Sequence, residues 1–147
     1  LALGVAITLS STATASDNKI ASSDAPAVNL SVDLTGLQVS DGKLYISVQE
    51  EADYMADRGI AGGIYVAEVS GTRTFEYDVP TGDYAVSIWH DTDNDGKFSM
   101  DDNWVPTDGW GASGTSDMTK KPTFNDVKIN VGSYGAAITI PMIYPAS

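Results

Sequence analysis

Short runs of alternating apolar and polar residues, each cut off by turn residues, constrain this chain more than any other feature. Val28, Leu30, Val32 and Leu34 fall on one side of a first extended segment, and Leu44, Ile46 and Val48 on one side of a second. Residues 64–69 form a third, and residues 72–79 a fourth with Phe75, Tyr77 and Val79 in phase. Tyr84, Val86, Ile88 and His90 share a face of the fifth, residues 83–90. Residues 126–131 and 134–144 complete seven such segments. A period of two puts every second side chain on one face of a pleated strand. Only residues 50–58 suggest a short helix, which Ala61-Gly62-Gly63 ends. Ser70-Gly71 has the composition of a tight hairpin turn, and Gly132-Ser133 that of another turn. The expected fold is all-β: one immunoglobulin-like or prealbumin-like antiparallel β-sandwich of about seven strands over residues 28–147. A domain of that size suffices for a two-sheet core.

One connection interrupts this rhythm. From Asp91 to Asn125 about 35 residues show no clear strand period, and a connection of that length is usually functional. It opens with His90-Asp91-Thr92-Asp93-Asn94-Asp95-Gly96-Lys97-Phe98-Ser99-Met100-Asp101-Asp102. Asp91, Asp93 and Asp95 occupy alternate positions, Gly96 permits a sharp bend, and Ser99 and Asp102 stand ninth and twelfth. This is the spacing by which a calcium loop wraps six to eight oxygens around Ca²⁺, with the seventh residue, Lys97, giving its carbonyl. Five carboxylates curled inward, Asp101 included, require a cation. Splayed outward they do not, and Asx turns alone account for such a solvated loop. Asp102 is shorter than the bidentate Glu usual at the twelfth place, which suggests an affinity in the range of extracellular modules. A strand precedes the loop, and Pro106, Gly109 and Gly111 follow it, so the paired helices of a calcium sensor are not expected. The loop's expected role is to order the long connection.

The side chains number 20 acidic and 8 basic, a net charge of -12. Nucleic acid and anionic membrane surfaces are poor partners for such a chain, whereas a cation suits it. There is no cysteine, hence no disulfide framework or thiol chemistry. Residues 1–9 are apolar, and Ala13-Thr14-Ala15 supplies a small-x-small pattern, so residues 1–15 are expected to be a signal peptide that lacks its start. That run is too short to span a membrane. Residues 16–27, rich in Ser, Asp and Ala, read as a flexible lead-in. The expected location is periplasmic or extracellular.

From Pro80 to Tyr144 the chain resembles a known bacterial family. The residues that carry the likeness are Pro80-Thr81-Gly82-Asp83-Tyr84-Ala85-Val86, His90-Asp91-x-Asp93-x-Asp95-Gly96-Lys97, Val105-Pro106-x-Asp108-Gly109-Trp110-Gly111-x-Ser113 and Pro122-x-Phe124-x-Asp126. They are similar to the domain-of-unknown-function family numbered 2141. The resemblance implies an exported β-sandwich and no assigned activity. Family members often carry Asn where this chain has Asp93 and Asp95, Asp where it has Ser99, Gly where it has Trp104, and Glu and Tyr where it has Asp108 and Trp110.

Three kinds of function are open. The first is a calcium-stabilised binding or structural module, with Asp91, Asp93, Asp95, Ser99 and Asp102 giving side-chain oxygens and Lys97 its carbonyl. Its ligand, whether small molecule, glycan or protein, is not legible. The second is a carbohydrate- or peptide-binding module that stacks its ligand on Trp104 and Trp110, beside Trp89. The alternative for these residues is packing, with Trp89 in the core and the other two clamping the loop. The third is an enzyme, and it is disfavoured. His90 is the single histidine, no nucleophile elbow is present, and the clustered carboxylates suit a cation cage better than glycoside hydrolysis. No catalytic residue is expected.

Overall fold

The computed structural model describes residues 26–68, 70–98, 100–103, 106–114 and 122–145. The expected export segment and most of the lead-in, residues 1–25, lie outside the described residues. Eight strands form among the described residues: β1 (Ala27–Leu37), β2 (Lys43–Gln49), β3 (Ala61–Val66), β4 (Gly71–Pro80), β5 (Gly82–His90), β6 (Gly109–Ala112), β7 (Ile129–Val131) and β8 (Ala136–Pro141). They build two sheets, one in the order β4-β1-β8 and one in the order β3-β2-β5-β6, with β7 also paired to β5. The alternation that marks the strands in the sequence is what fills the space between the sheets. Leu30, Val32 and Leu34 from β1 meet Leu44, Ile46 and Val48 from β2 and Tyr84, Val86 and Ile88 from β5 in one apolar core. Burying a side chain of this kind contributes about 1.5–3 kcal/mol.

The expected all-β sandwich is present, with one strand more than expected and one strand parallel. β8 runs parallel to β1, from Leu30 beside Ala136 to Thr35 beside Pro141; the other pairings are antiparallel. Parallel pairing follows from the crossing between sheets after β7. β7 leaves the edge of β5 through the turn at Gly132, where the Gly135 N–H donates to the Gly132 carbonyl at 2.9 Å, and β8 then enters the opposite sheet. Ser70-Gly71, read as a hairpin, also joins strands of different sheets, because β3 pairs with β2 and β4 with β1. Tyr65 and Phe75 meet there across the core opening, ring centroids 4.6 Å apart.

The segment 126–131 is a strand only at its end. Thr123 and Asp126 exchange hydrogen bonds as a capping box and start a helical turn, α1 (Phe124–Val127). The helix expected over residues 50–58 is a single 3₁₀ turn, Glu51–Asp53. These two turns cover part of the outer face of the larger sheet, where Phe124 and Val127 bury against Ala85 with Tyr54 alongside.

β6 and β7 line up end to end along one edge of β5, and Ser113 holds the join. Its N–H donates to the Val86 carbonyl at 2.9 Å. Its Oγ accepts the Val86 N–H at 2.9 Å and donates to the Val127 carbonyl at 2.6 Å. The side chain thus replaces a missing ladder partner. Ser113→Ala leaves two buried main-chain groups without that partner, so it should cost about 2 kcal/mol. Urea unfolding at unchanged m value measures this, and a loss under about 0.5 kcal/mol would show that the clamp is dispensable.

Candidate metal centre

The site begins where β5 ends. His90, the last residue of the strand, is wholly buried. Its ring nitrogens are both engaged, Nε2 with Ser40 Oγ at 2.9 Å and Nδ1 with the Tyr144 hydroxyl at 2.8 Å. Burial pushes its imidazole below the ordinary value, and Asp108 and Asp91 push it partly back. Asp91 then continues the ladder by donating its N–H to the Lys43 carbonyl at 2.9 Å. A side chain on Gly42 would overlap the Asp91 carbonyl, so glycine is what lets the turn before β2 press against this residue.

Beyond Asp91 the chain curls tightly. Asn94 and Gly96 take left-handed φ values of 56° and 75°, which Asn and Gly tolerate best. The bend turns successive N–H groups toward the carboxylates behind them. Asp91, only 1% exposed, accepts from the Asp95 N–H at 3.1 Å and from the Gly96 N–H at 2.8 Å. Asp93 accepts from the Asp95 N–H at 3.3 Å, and Asp95 from the Lys97 N–H at 2.9 Å. Asp91 is the hub, and the others are Asx turns around it.

The fourth member comes from the far end of the loop. β5 and β6 pair so that Trp89 faces Trp110 and His90 faces Gly109. One step further along this register, Asp91 and Asp108 stand across from each other at the neck of the loop. Asp108 is also 1% exposed. Its Oδ2 accepts the indole N–H of Trp89 at 2.9 Å, and its Oδ1 accepts the Thr92 hydroxyl at 3.3 Å. Oxygen atoms of Asp91, Asp93, Asp95 and Asp108 all lie within 4.8 Å of one another.

Such crowding is electrostatically unfavourable. Two like charges about 4 Å apart repel by about 4 kcal/mol at a surface-like dielectric. The titration of the acids reflects this. Burial pushes the Asp91 carboxyl up, but its N–H donors and the hydrogen bonds from Asp93 and Asp95 outweigh that and hold it below the usual carboxylate range. Asp93 is pushed above it, first by desolvation and then by the hydrogen bond it shares with Asp91. The two neighbouring carboxyls are thus driven apart, Asp91 downward and Asp93 upward.

Of the residues expected as ligands, Asp91, Asp93 and Asp95 come together, while exposed Asp102 is not part of the cluster. Lys97 is exposed, with its N–H on Asp95. Ser99 and Trp104 lie outside the described residues. Asp108 is the member that the twelve-residue template leaves out. Its visible signal is the acid directly before Gly109-Trp110, which becomes a ligand position only when β6 is seen to pair with β5. Trp110 is 9% exposed and its main chain pairs with Ile143, the setting of a packing residue. Trp89 is not in the core but on the outer face. Its ring stacks on Tyr45 at 4.5 Å and meets the edge of Phe98 at 6.1 Å. Phe98 thereby pins the loop to the sheet.

The family described as "Uncharacterized protein conserved in bacteria (DUF2141)" matches residues 32–139. The chain belongs to this family. The DUF2141 span takes in β2 to β7 and all four clustered carboxylates. No curated protein and no solved structure matches the chain.

Trp89 touches the loop twice, through its ring and through its N–H. Trp89→Phe keeps much of the ring and removes the donor to buried Asp108. It should lower stability by about 1–3 kcal/mol in metal-free buffer. Equilibrium unfolding in chelator reads the change, and wild-type stability would show that Asp108 needs no donor from the sheet.

Proposed function

We propose that this protein is an exported, non-catalytic β-sandwich whose β5–β6 loop is closed at its neck by Ca²⁺. The single observation that carries the reading is the convergence of Asp91, Asp93, Asp95 and Asp108, two of them buried, on one small volume. The donors are all hard oxygens, which suits Ca²⁺, Mg²⁺ or Mn²⁺ rather than zinc. Four carboxylates on a bending loop favour Ca²⁺, which takes six to eight oxygens in flexible geometry, over Mg²⁺, which retains its waters. Main-chain carbonyls and water would complete the shell. His90 is wholly buried, with its ring nitrogens on Ser40 and Tyr144, and is not one of the clustered groups.

Binding would tie the two ends of residues 91–108 together and offset the repulsion among the crowded carboxylates. The ion is then a fastener that holds the loop in a shape a partner reads. Export accords with the apolar first residues and the Ala13-Thr14-Ala15 pattern, and calcium is abundant outside the cytoplasm, so a weak site would be filled there.

A calcium titration followed by thermal unfolding tests the reading. At a hundredfold excess over Kd, the ion should add about 2.7 kcal/mol to stability. Asp108→Asn and Asp91→Asn should each weaken the response, while Asp102→Asn should not. Terbium emission sensitised through Trp89 provides a second readout. An unchanged midpoint in millimolar calcium against chelator, with no sensitised emission, would overturn the assignment.

A further inference from the structure

Among the described residues, one edge of the larger sheet is paired with no other strand. β3 (Ala61–Val66) is its outermost strand and reads Ala-Gly-Gly-Ile-Tyr-Val, with no charge and no proline. Other strand edges are protected in the usual ways. β4 carries Glu76 and Asp78, β8 ends in Pro141, β7 has three residues, and the Trp110 main chain of β6 is paired with Ile143.

The phase of the ladder shows which main-chain groups of β3 point outward. The Asp91 N–H bonds the Lys43 carbonyl, so Lys43 addresses β5 and Leu44 addresses β3. The Val48 carbonyl, which takes the Ile60 N–H just before β3 begins, points the same way as Leu44. Tyr65, opposite Leu44, therefore faces β2, and the N–H and C=O of Ile64 face away from the sheet. Of the outward groups, the Val66 carbonyl takes a hydrogen bond from Arg73 at 2.8 Å. The side chains of Ile64 and Val66 are 62% and 52% exposed on the outer face.

We propose that β3 is a self-association edge, which a second copy of this chain covers by antiparallel pairing about a two-fold axis at Ile64. In this register Ile64 exchanges two main-chain hydrogen bonds with the partner's Ile64. Val66 lies over the partner's Gly62, which has no side chain to obstruct it. The two exposed apolar side chains of each copy then form one patch across the joint, and the two sheets become one.

Charge selects this edge for a copy of the same molecule. The protein as a whole is strongly acidic, with a net charge of -12, and copies repel at a distance. Around β3 the charges are mixed. Asp57 and Arg58 stand before its start, Glu68 follows its end, and Lys43 and Arg73 flank Val66. Antiparallel pairing sets the Asp57-Arg58 end of one copy, where Arg58 bonds Asp53 of its own chain at 2.9 Å, beside the Glu68 and Arg73 end of the other, so Asp57 meets the partner's positive end at Arg73. A six-residue edge is a small contact, so the association is weak and rises with salt, which screens the net repulsion.

Sedimentation velocity of the purified protein from micromolar to millimolar concentration tests this. A reversible monomer–dimer equilibrium, tightened by added salt, is expected. Ile64→Lys should weaken it at least tenfold, whereas Thr139→Lys, with the same charge change on exposed β8, should leave it intact. Hydrogen exchange at the Ile64 amide in the unaltered protein should slow as concentration rises. A protein that stays monomeric throughout, or a dimer that survives Ile64→Lys with exchange at Ile64 unaltered, would overturn the proposal.

Discussion

The register between β5 and β6 is the constraint from which the site follows. With Trp89 opposite Trp110 and His90 opposite Gly109, the next pair along is Asp91 and Asp108. A slip of one residue would turn the Trp110 side chain to the other face and carry Asp108 away from the cluster. Three contacts hold the register. Ser113 locks β6 to Val86 at the far end. Ile143 pairs with Trp110 from the opposite sheet, through N–H to carbonyl bonds of 2.9 and 2.8 Å. The Trp89 indole N–H then fixes the Asp108 carboxylate itself. Fold and site are thus one problem, because the buried acids occupy their places only when the neighbouring strands are paired.

Much of the architecture is legible in the residue pattern, and the failures have identifiable causes. β1, β2 and β4 alternate because one face of each is core and the other more exposed, and β5 keeps its period although α1 covers its outer face at Ala85. β6 does not, since Gly-Trp-Gly-Ala offers no period and owes its existence to bonds with β5 and Ile143. Ser70-Gly71 has hairpin composition, but local composition does not specify whether the flanking strands share a sheet. The parallel strand β8 escapes for the same reason, as pairing direction is decided by where the preceding crossover delivers the chain. At the site, the spacing of Asp91, Asp93 and Asp95 is a local signal and is read directly. Asp108 is distant in sequence and enters only through strand pairing, while Asp102 fits the template by number and falls outside the cluster.

The loop is also an example of charge managed by the backbone. Asp91 sits at the centre, accepting N–H groups that its own downstream residues present. Those donors hold the buried Asp91 carboxyl below its ordinary range, while Asp93, at the rim, is pushed above it. The hydrophobic counterpart is Phe98, which lays the loop against Trp89 and so ties the acidic curl to the aromatic row on the sheet. His90 beneath it forms a polar string with Ser40 and Tyr144, linking the end of β5 to the segments that follow β1 and β8.

The parallel pairing of β8 with β1 bears on how the chain reaches this state. β1 takes β4 along one edge and β8 along the other, with Leu30 between Tyr77 and Ala136. Contacts between such distant parts of a chain form slowly, because a long loop has to close before they are rewarded. The smaller sheet is therefore complete only when β8 has crossed back to β1.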